Sequence, residues 1–444
     1  MRLTWAQPED LVAHELVQCA AEGKDTADIA RRWVAAGGSP IPQAAGASDD
    51  SGGLRPLARM LLAELDELGP TDSPDEPNDL ADIERIAAGS SKRSAGKDIA
   101  DRVLGGWLGR AAGCLLGKPV EKIPRAGIRE IAEATGNWPV AGYFTERGLP
   151  PDIASKWPWN RRSRPTSLVE NIAGMPEDDD LNFAILALSL LERHGDSLTS
   201  DDVAVAWLDN LPAGRVFTAE RAAYRNLLDA YPVPLTATTR NPFREWIGAQ
   251  IRTDVYGWAH PGDPHVAARL AWQDARLSHT RNGIYGAMFV AAACATACVA
   301  DDVEEVVAAG LAVVPPRSRY AAAIQFGAQL GNSGIDSEAA LDALHREFGQ
   351  LHWVHVLNNA ALIAYSLTVA GGQFGPAIGV AVTGGWDTDS DGATVGSICG
   401  ALTGAERLPA AWIAPLQNRI ASTLPGFDGV AITDLAKRTL GLVK

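Results

Sequence analysis

The sequence predicts an all-α fold: a multi-helix main domain preceded by a small helical region. Three observations predict it. Apolar residues recur at helical spacing over 182–194, 202–209, 217–230, 264–277, 283–300, 302–312, 336–347, 357–370 and 393–403. Many of these stretches are rich in alanine, the strongest helix former. Runs that alternate apolar and polar residues, as a half-buried strand would, are few, and no repeat of fixed period is present.

In chain order, residues 8 to about 36 read as two short helices. Asp10 and Leu11 open the first and Gly23 closes it; Asp25 or Thr26 caps the second and Gly37-Gly38 ends it. Residues 37–54 are rich in Gly, Ser, Pro and Asp, and a helix follows over Leu57 to Leu68. The stretch Pro70-Thr71-Asp72-Ser73-Pro74-Asp75-Glu76-Pro77 has the composition of a flexible linker. The division expected is therefore an N-terminal helical region over 1–69, a linker over 70–97 and the main domain over 98–444. Within the main domain, residues 136–166 are dominated by Gly, Pro, Trp and Tyr and form a long irregular loop. Loops of that length are functional or disordered, and the aromatic content favours order.

The bulk numbers exclude several functions. Among 444 residues, 46% are hydrophobic and 21% charged, as in globular proteins, and one chain of this length supports a large core. A net charge of −15 and a pI near 5.0 oppose binding to a phosphate backbone, and the densest basic spot, Arg161-Arg162-Ser163-Arg164, is short. No nucleic-acid partner is expected. The longest apolar stretch, about Ala287 to Ala300, is too short to span a bilayer and reads as a core helix, so no membrane partner is expected either. Five cysteines without a CxxC pair, and an N-terminus without an apolar leader, fit a reduced, cytoplasmic protein. A monomer is the expected state.

Two acidic segments carry the chemistry. In Pro176-Glu177-Asp178-Asp179-Asp180, four carboxylates precede an apolar helix. Acids at a helix start satisfy free N–H groups, but one or two suffice. Four in a row repel one another by about 1 kcal/mol per pair even in water, and a helix cap and a metal site remain equally open there. The second segment is Asp387-Thr388-Asp389-Ser390-Asp391-Gly392, ahead of a helix of small residues from Ala393. Its D-x-D-x-D-G spacing matches the first half of an EF-hand loop, but the bidentate Glu expected at position 398 is Ile398. An oxygen-ligand site at a helix start remains, with an Asx-turn as the alternative. With only oxygen donors and no interleaved His or Cys, the pair of segments favours a hard cation, Mg²⁺, Mn²⁺ or Ca²⁺, over zinc. Gly105, Gly109 and Gly113 fall every four residues and would give one helix face that another backbone can approach closely.

The segment 105–121, the tetrad 177–180 and the loop 384–392 occur in the order found in the ADP-ribosylglycohydrolase family, which the chain resembles over about 98–410. The stretches Asn241-Pro242, Ile247 to Arg252, Asp274 to His279 and Asn282-Gly283 add to the resemblance. It implies an all-α fold and a centre of two Mg²⁺ (or Mn²⁺) ions. The implied metal ligands are Glu177, Asp178, Asp179, Asp387, Asp389 and Ser390, with Glu177 standing where the family carries Thr. The implied catalytic residues are Asp178, Asp179 and Glu121, and the implied substrate-binding residues are His279, Asn282, Gly283, Gly248, Arg252 and Trp386. The activity implied is hydrolysis of the N- or O-glycosidic ribosyl bond of an ADP-ribosylated protein or small molecule, by attack of a water held by Asp178 or Asp179. Two alternatives stand beside it. One is an enzyme on the same scaffold acting on another ribosylated metabolite or a nucleoside. The other is a non-catalytic ADP-ribose-binding protein.

Overall fold

The computed structural model describes residues 3–42, 51–71, 73–89 and 91–444. The part of the Gly/Ser/Pro-rich stretch over 43–50, together with Asp72, lies outside them. Among the described residues the architecture is all-α, with a single two-stranded antiparallel sheet in which Arg419 pairs with Ala431 and Ile420 with Val430.

The N-terminal helices span Pro8–Ala21, Ala27–Ala35 and Arg55–Glu67. Pro8 sits in the first turn, where its missing N–H costs nothing, with Glu9 and Asp10 beside it. The described residues of 70–97 do not hang free as a linker. They carry a helix, Leu80–Ile86, capped by Asp79, whose side chain accepts from Ala81 N at 2.9 Å. Glu76 is buried against Arg319 at 2.8 Å, and Asn78 bonds both Trp272 Nε1 and the Arg281 backbone N. The acidic and polar residues that read as a linker in sequence are instead paired with cations and donors of the main domain. The sequence does not show those partners, because they lie about two hundred residues away.

The core is built on helices that are buried on every side. All residues of Asn282–Ala297 are buried, as are nearly all of Val356–Val369 and Thr388–Thr403. Such helices are apolar all round rather than striped, which marks an interior position. Cys294 and Cys298 are free and buried there, one turn apart. No helix among the described residues is long and apolar enough to cross a membrane.

One helix pair sets the position of the acidic segments. The helix Ile99–Gly117 lies antiparallel against Thr388–Thr403, and the glycine stripe is the reason. A methyl group added at Gly105 would sit 2.2 Å from the Gly400 carbonyl oxygen. At Gly109 the figure is 2.1 Å to Gly396 O, at Gly113 it is 1.8 Å to Gly392 O, and at Gly117 it is 2.0 Å to Thr388 O. The partner helix answers with its own glycines, 392, 396 and 400, against the carbonyls of 113, 109 and 105. The two backbones touch along four turns, and the end of one helix is thereby fixed beside the start of the other. The helix expected from Ala393 starts earlier, at Thr388, so Asp389 and Asp391 lie in its first turn.

The loop over 136–166 is less irregular than expected: it contains short helices at Pro151–Lys156 and Arg164–Ser167.

Candidate active site

A cavity of about 1060 Å³ opens over the meeting point of these helices. Its lining includes Glu121, Glu177, Asp178, Asp179, Asp180, Asp387, Asp389 and Ser390, so the two acidic segments face one space. The contact that joins them is direct: the Ser390 hydroxyl donates to Asp180 Oδ2 at 3.2 Å, across 210 positions of sequence.

Asp178 serves as a helix cap. It precedes the helix Asp179–His194, and its Oδ1 accepts from Asp180 N at 2.9 Å. Its other oxygen, Oδ2, takes the Lys118 ammonium, which also donates to the Glu177 carbonyl at 3.2 Å. Burial alone would raise the Asp178 pKa; the adjacent Lys118 charge more than reverses this and holds it below the ordinary carboxylate value. The neighbours go the other way. Burial, then repulsion by Asp178 and Asp389, pushes Asp179 well up. Asp180 rises through burial and Asp178, and Asp387 through burial and Asp389. Asp389 is raised to about 7 by burial, then by Glu121 and Asp178.

These shifts have one physical cause: carboxylates concentrated in a buried cluster with too few cations. Lys118 meets Asp178, and the buried Arg110 meets Asp180 and Asp254, the latter at 2.9 Å. Among the described residues no ion pair reaches Asp179, Asp387 or Asp389, and Lys118 only partly offsets the charge on Asp179 and Asp389. A divalent cation fits this donor set, because it would favour the charged forms that the fold now disfavours. Cys114 approaches as well; one ligand atom each from Cys114, Asp178 and Asp180 lie within 4.8 Å of one another. The Cys114 thiol is pushed well up by burial and by Asp178, and as a soft donor it suits a hard cation less well than the carboxylates do.

Glu177 lines the cavity, and both of its carboxylate oxygens have protein partners. Its Oε1 accepts from Asn182 Nδ2 at 2.9 Å and its Oε2 from Arg215 Nη1 at 3.0 Å. The extra charge relative to the family's Thr is thus matched by Arg215. Glu121 lines the cavity with Asn160 donating to it at 2.5 Å and Lys122 at 3.1 Å. Gly248 lines it too; a methyl there would lie 2.2 Å from Glu220 Oε1, so only glycine lets that carboxylate approach.

Five expected substrate-binding residues are placed elsewhere. Arg252 is buried in ion pairs with Glu220 at 2.5 Å and Asp274 at 2.6 Å. His279 is buried beside Ser278, its Nδ1 2.8 Å from that hydroxyl, with its pKa driven well down by burial and by Arg252. Asn282 is held by Glu245 and by Tyr320 N, and Gly283 packs under the Arg244 carbonyl. Trp386, with φ +63°, stacks on His345 at 4.3 Å rather than lining the cavity. Arg252 and Asn282 have their side chains engaged by protein partners, whereas His279 Nε2 is buried with no hydrogen-bond partner.

Residues that sequence reasoning passed over include Arg110, Cys114 and Lys118. Their spacing of four, one position along from each glycine of the stripe, was the available signal: it puts all three on the helix face that borders the acidic segments. The Asn359 Oδ1 accepts from Asp387 N at 3.3 Å and so steadies the second segment. Trp157, Asn160, Arg161 and Arg162 of the 136–166 loop line the cavity.

A solved structure described as "ADP-ribosylglycohydrolase-related protein complex" is similar to this chain at 19% identity, covering 78% of this chain and 98% of its own, with a TM-score of 0.41. No curated protein matches. The family model for ADP-ribosylglycohydrolase matches residues 95–443. The chain belongs to the ADP-ribosylglycohydrolase family.

Proposed function

We propose that this protein hydrolyses the ribosyl bond of an ADP-ribosylated protein or small molecule, using two Mg²⁺ or Mn²⁺ ions held by Asp178, Asp179, Asp387, Asp389 and Ser390. The observation that carries the reading is the single cavity in which Ser390 bonds Asp180 and both acidic segments meet with their negative charge largely uncompensated. Divalent ions, when bound, supply Lewis-acid polarisation of the oxygens they touch. The chain does the rest. Asp178, kept ionised by Lys118, fixes the charged floor of the site. Asp179, on the cavity wall, positions the attacking water and accepts its proton. Glu121, bridged to Asn160 and Lys122, carries a proton at the rim. Bond cleavage through an oxocarbenium-like state follows the general chemistry of glycoside hydrolysis.

The test is a screen for Mg²⁺- or Mn²⁺-dependent release of ADP-ribose from ADP-ribosyl-arginine, ADP-ribosyl-serine and O-acetyl-ADP-ribose. Asp389→Asn is expected to remove turnover, a loss of at least about a hundred-fold, with far-UV helicity retained. Undiminished turnover in that variant would defeat the reading. Turnover only of a free nucleoside would support an enzyme acting on another ribosylated metabolite, and tight ADP-ribose binding without any turnover would support a binding protein.

A further inference from the structure

The family match begins at residue 95, yet the cavity wall includes Thr4 and Trp5. We propose that the N-terminal segment is part of the substrate site, with Thr4 and Trp5 forming a fixed wall that sets which ligand the acidic cavity admits. This rests on the reading that the cavity takes an ADP-ribosyl group.

The wall is held at several points. Trp5 adopts φ +62°, in the left-handed region that a bulky side chain enters at a cost. Such a conformation persists only where the surroundings impose it. Here they do: the indole, 5% exposed, meets Phe243 edge-on at 5.3 Å, Trp246 at 5.6 Å, and His14 and His352 at 5.8 and 5.9 Å. Thr4 is gripped from the other side. The Arg221 guanidinium donates through Nη1 to the Thr4 carbonyl at 2.6 Å and approaches its hydroxyl at 3.2 Å. Two more residues of the cavity lining, Lys122 and Thr218, also carry positive φ, at +72° and +40°.

The helix that follows is bound to the main domain through buried charge. Arg244 pairs with Glu15 at 2.8 Å and Glu22 at 2.7 Å, and Gln18 donates to Glu245 at 2.8 Å. Glu15, Gln18, Arg244 and Glu245 are buried, and the Glu22 side chain is only 6% exposed. Pulling the helix away would leave Arg244 without a carboxylate partner in the interior, which is far more costly than breaking exposed ion pairs. The segment therefore acts as a standing wall rather than a closing lid. Thr4 is the half-buried member of this wall and Trp5 the buried one, so Thr4 is the position where added bulk tests the fit of a ligand.

The experiment is calorimetric titration of ADP-ribose, with Mg²⁺ present, into the full chain and four variants. Thr4→Trp projects an indole into the cavity and is expected to weaken binding by about ten-fold or more, while Thr4→Ser binds within about two-fold of the parent. Asp389→Asn reports on the acidic site itself. To separate a filled cavity from a misfolded chain, Thr4→Cys is folded first and then modified with a bulky maleimide; the five native cysteines are all buried. Weakened binding only after modification supports the wall. If Asp389→Asn abolishes binding while Thr4→Trp and modified Thr4→Cys bind as the parent does, the wall is overturned and the site reading stands. If the full chain binds no ADP-ribose, the site reading fails and the wall falls with it.

Discussion

His352 lies flat against Trp246, ring centroids 4.3 Å apart and nearly parallel. Burial, then the neighbouring His14 and His355, lowers its pKa from the ordinary 6.5 to about 3. The folded chain therefore refuses a proton that the unfolded chain accepts. That contribution to stability is fully present above pH 6.5 and is lost as pH falls toward about 3. His352→Phe keeps the stack and removes the titration. Its acid-unfolding midpoint, followed by circular dichroism, is expected to move to lower pH, with a gain of about 1–2 kcal/mol near pH 4 after discounting for the partial exposure of the ring. The same scale shows what can be read from residue types. His352 and His355 lie three positions apart with no further His or Cys beside them in sequence, a pattern that does not point to a metal site, and His355 instead caps a helix, its Nδ1 accepting from Leu357 N at 3.2 Å. Asp178 was harder. Cap and metal site were equally open from sequence, and its two oxygens divide between a cap and Lys118, a partner sixty positions away.

The paired helices Ile99–Gly117 and Thr388–Thr403 turn a sequence stripe into a site. An alanine at Gly109 would gain about 1 kcal/mol of helix propensity. The added methyl, however, would lie 2.1 Å from a backbone carbonyl that has no side-chain freedom to yield. The clash dominates, and Gly109→Ala is expected to destabilise by about 1–3 kcal/mol in urea unfolding. Gly117→Ala adds a second effect, because the carbonyl it meets belongs to Thr388, between Asp387 and Asp389. That variant is expected to lose divalent-cation affinity along with stability, whereas Gly136→Ala, at an open position with φ +72°, should lose only stability. The close approach was legible from the glycine spacing. Its partner was not, since the matching glycines lie nearly three hundred residues on and any small-residue helix would have fitted.

Across the whole molecule, protonation and cation binding draw on the same carboxylates. Asp389, raised to about 7 from 3.8, favours its neutral form when folded, so without a cation its contribution to stability is present below pH 3.8 and lost as pH rises through about 7. A bound cation favours the charged form. The stabilisation by Mg²⁺ or Mn²⁺ is therefore expected to grow from about pH 5.5 to about pH 8, reaching about 2.7 kcal/mol when the ion stands at a hundred times its dissociation constant. Thermal unfolding at the two pH values, with and without the ion, checks this; an ion effect independent of pH would argue against carboxylates as the holders.

By itself the sequence determined the helical class, the inward helices, the family resemblance and the two acidic segments, because these depend on local spacing and on residue type. The tertiary structure decided the rest. It brought Ser390 to Asp180, gave Glu177 to Arg215 and Asn182, and moved Arg252, His279 and Asn282 from an expected ligand site into buried pairs. It also turned a linker into a docked strap and set Thr4 and Trp5 in the cavity wall. The reason is the same in each case. A buried charge takes its character from the partner that neutralises it, and that partner is chosen by packing between segments far apart in the chain.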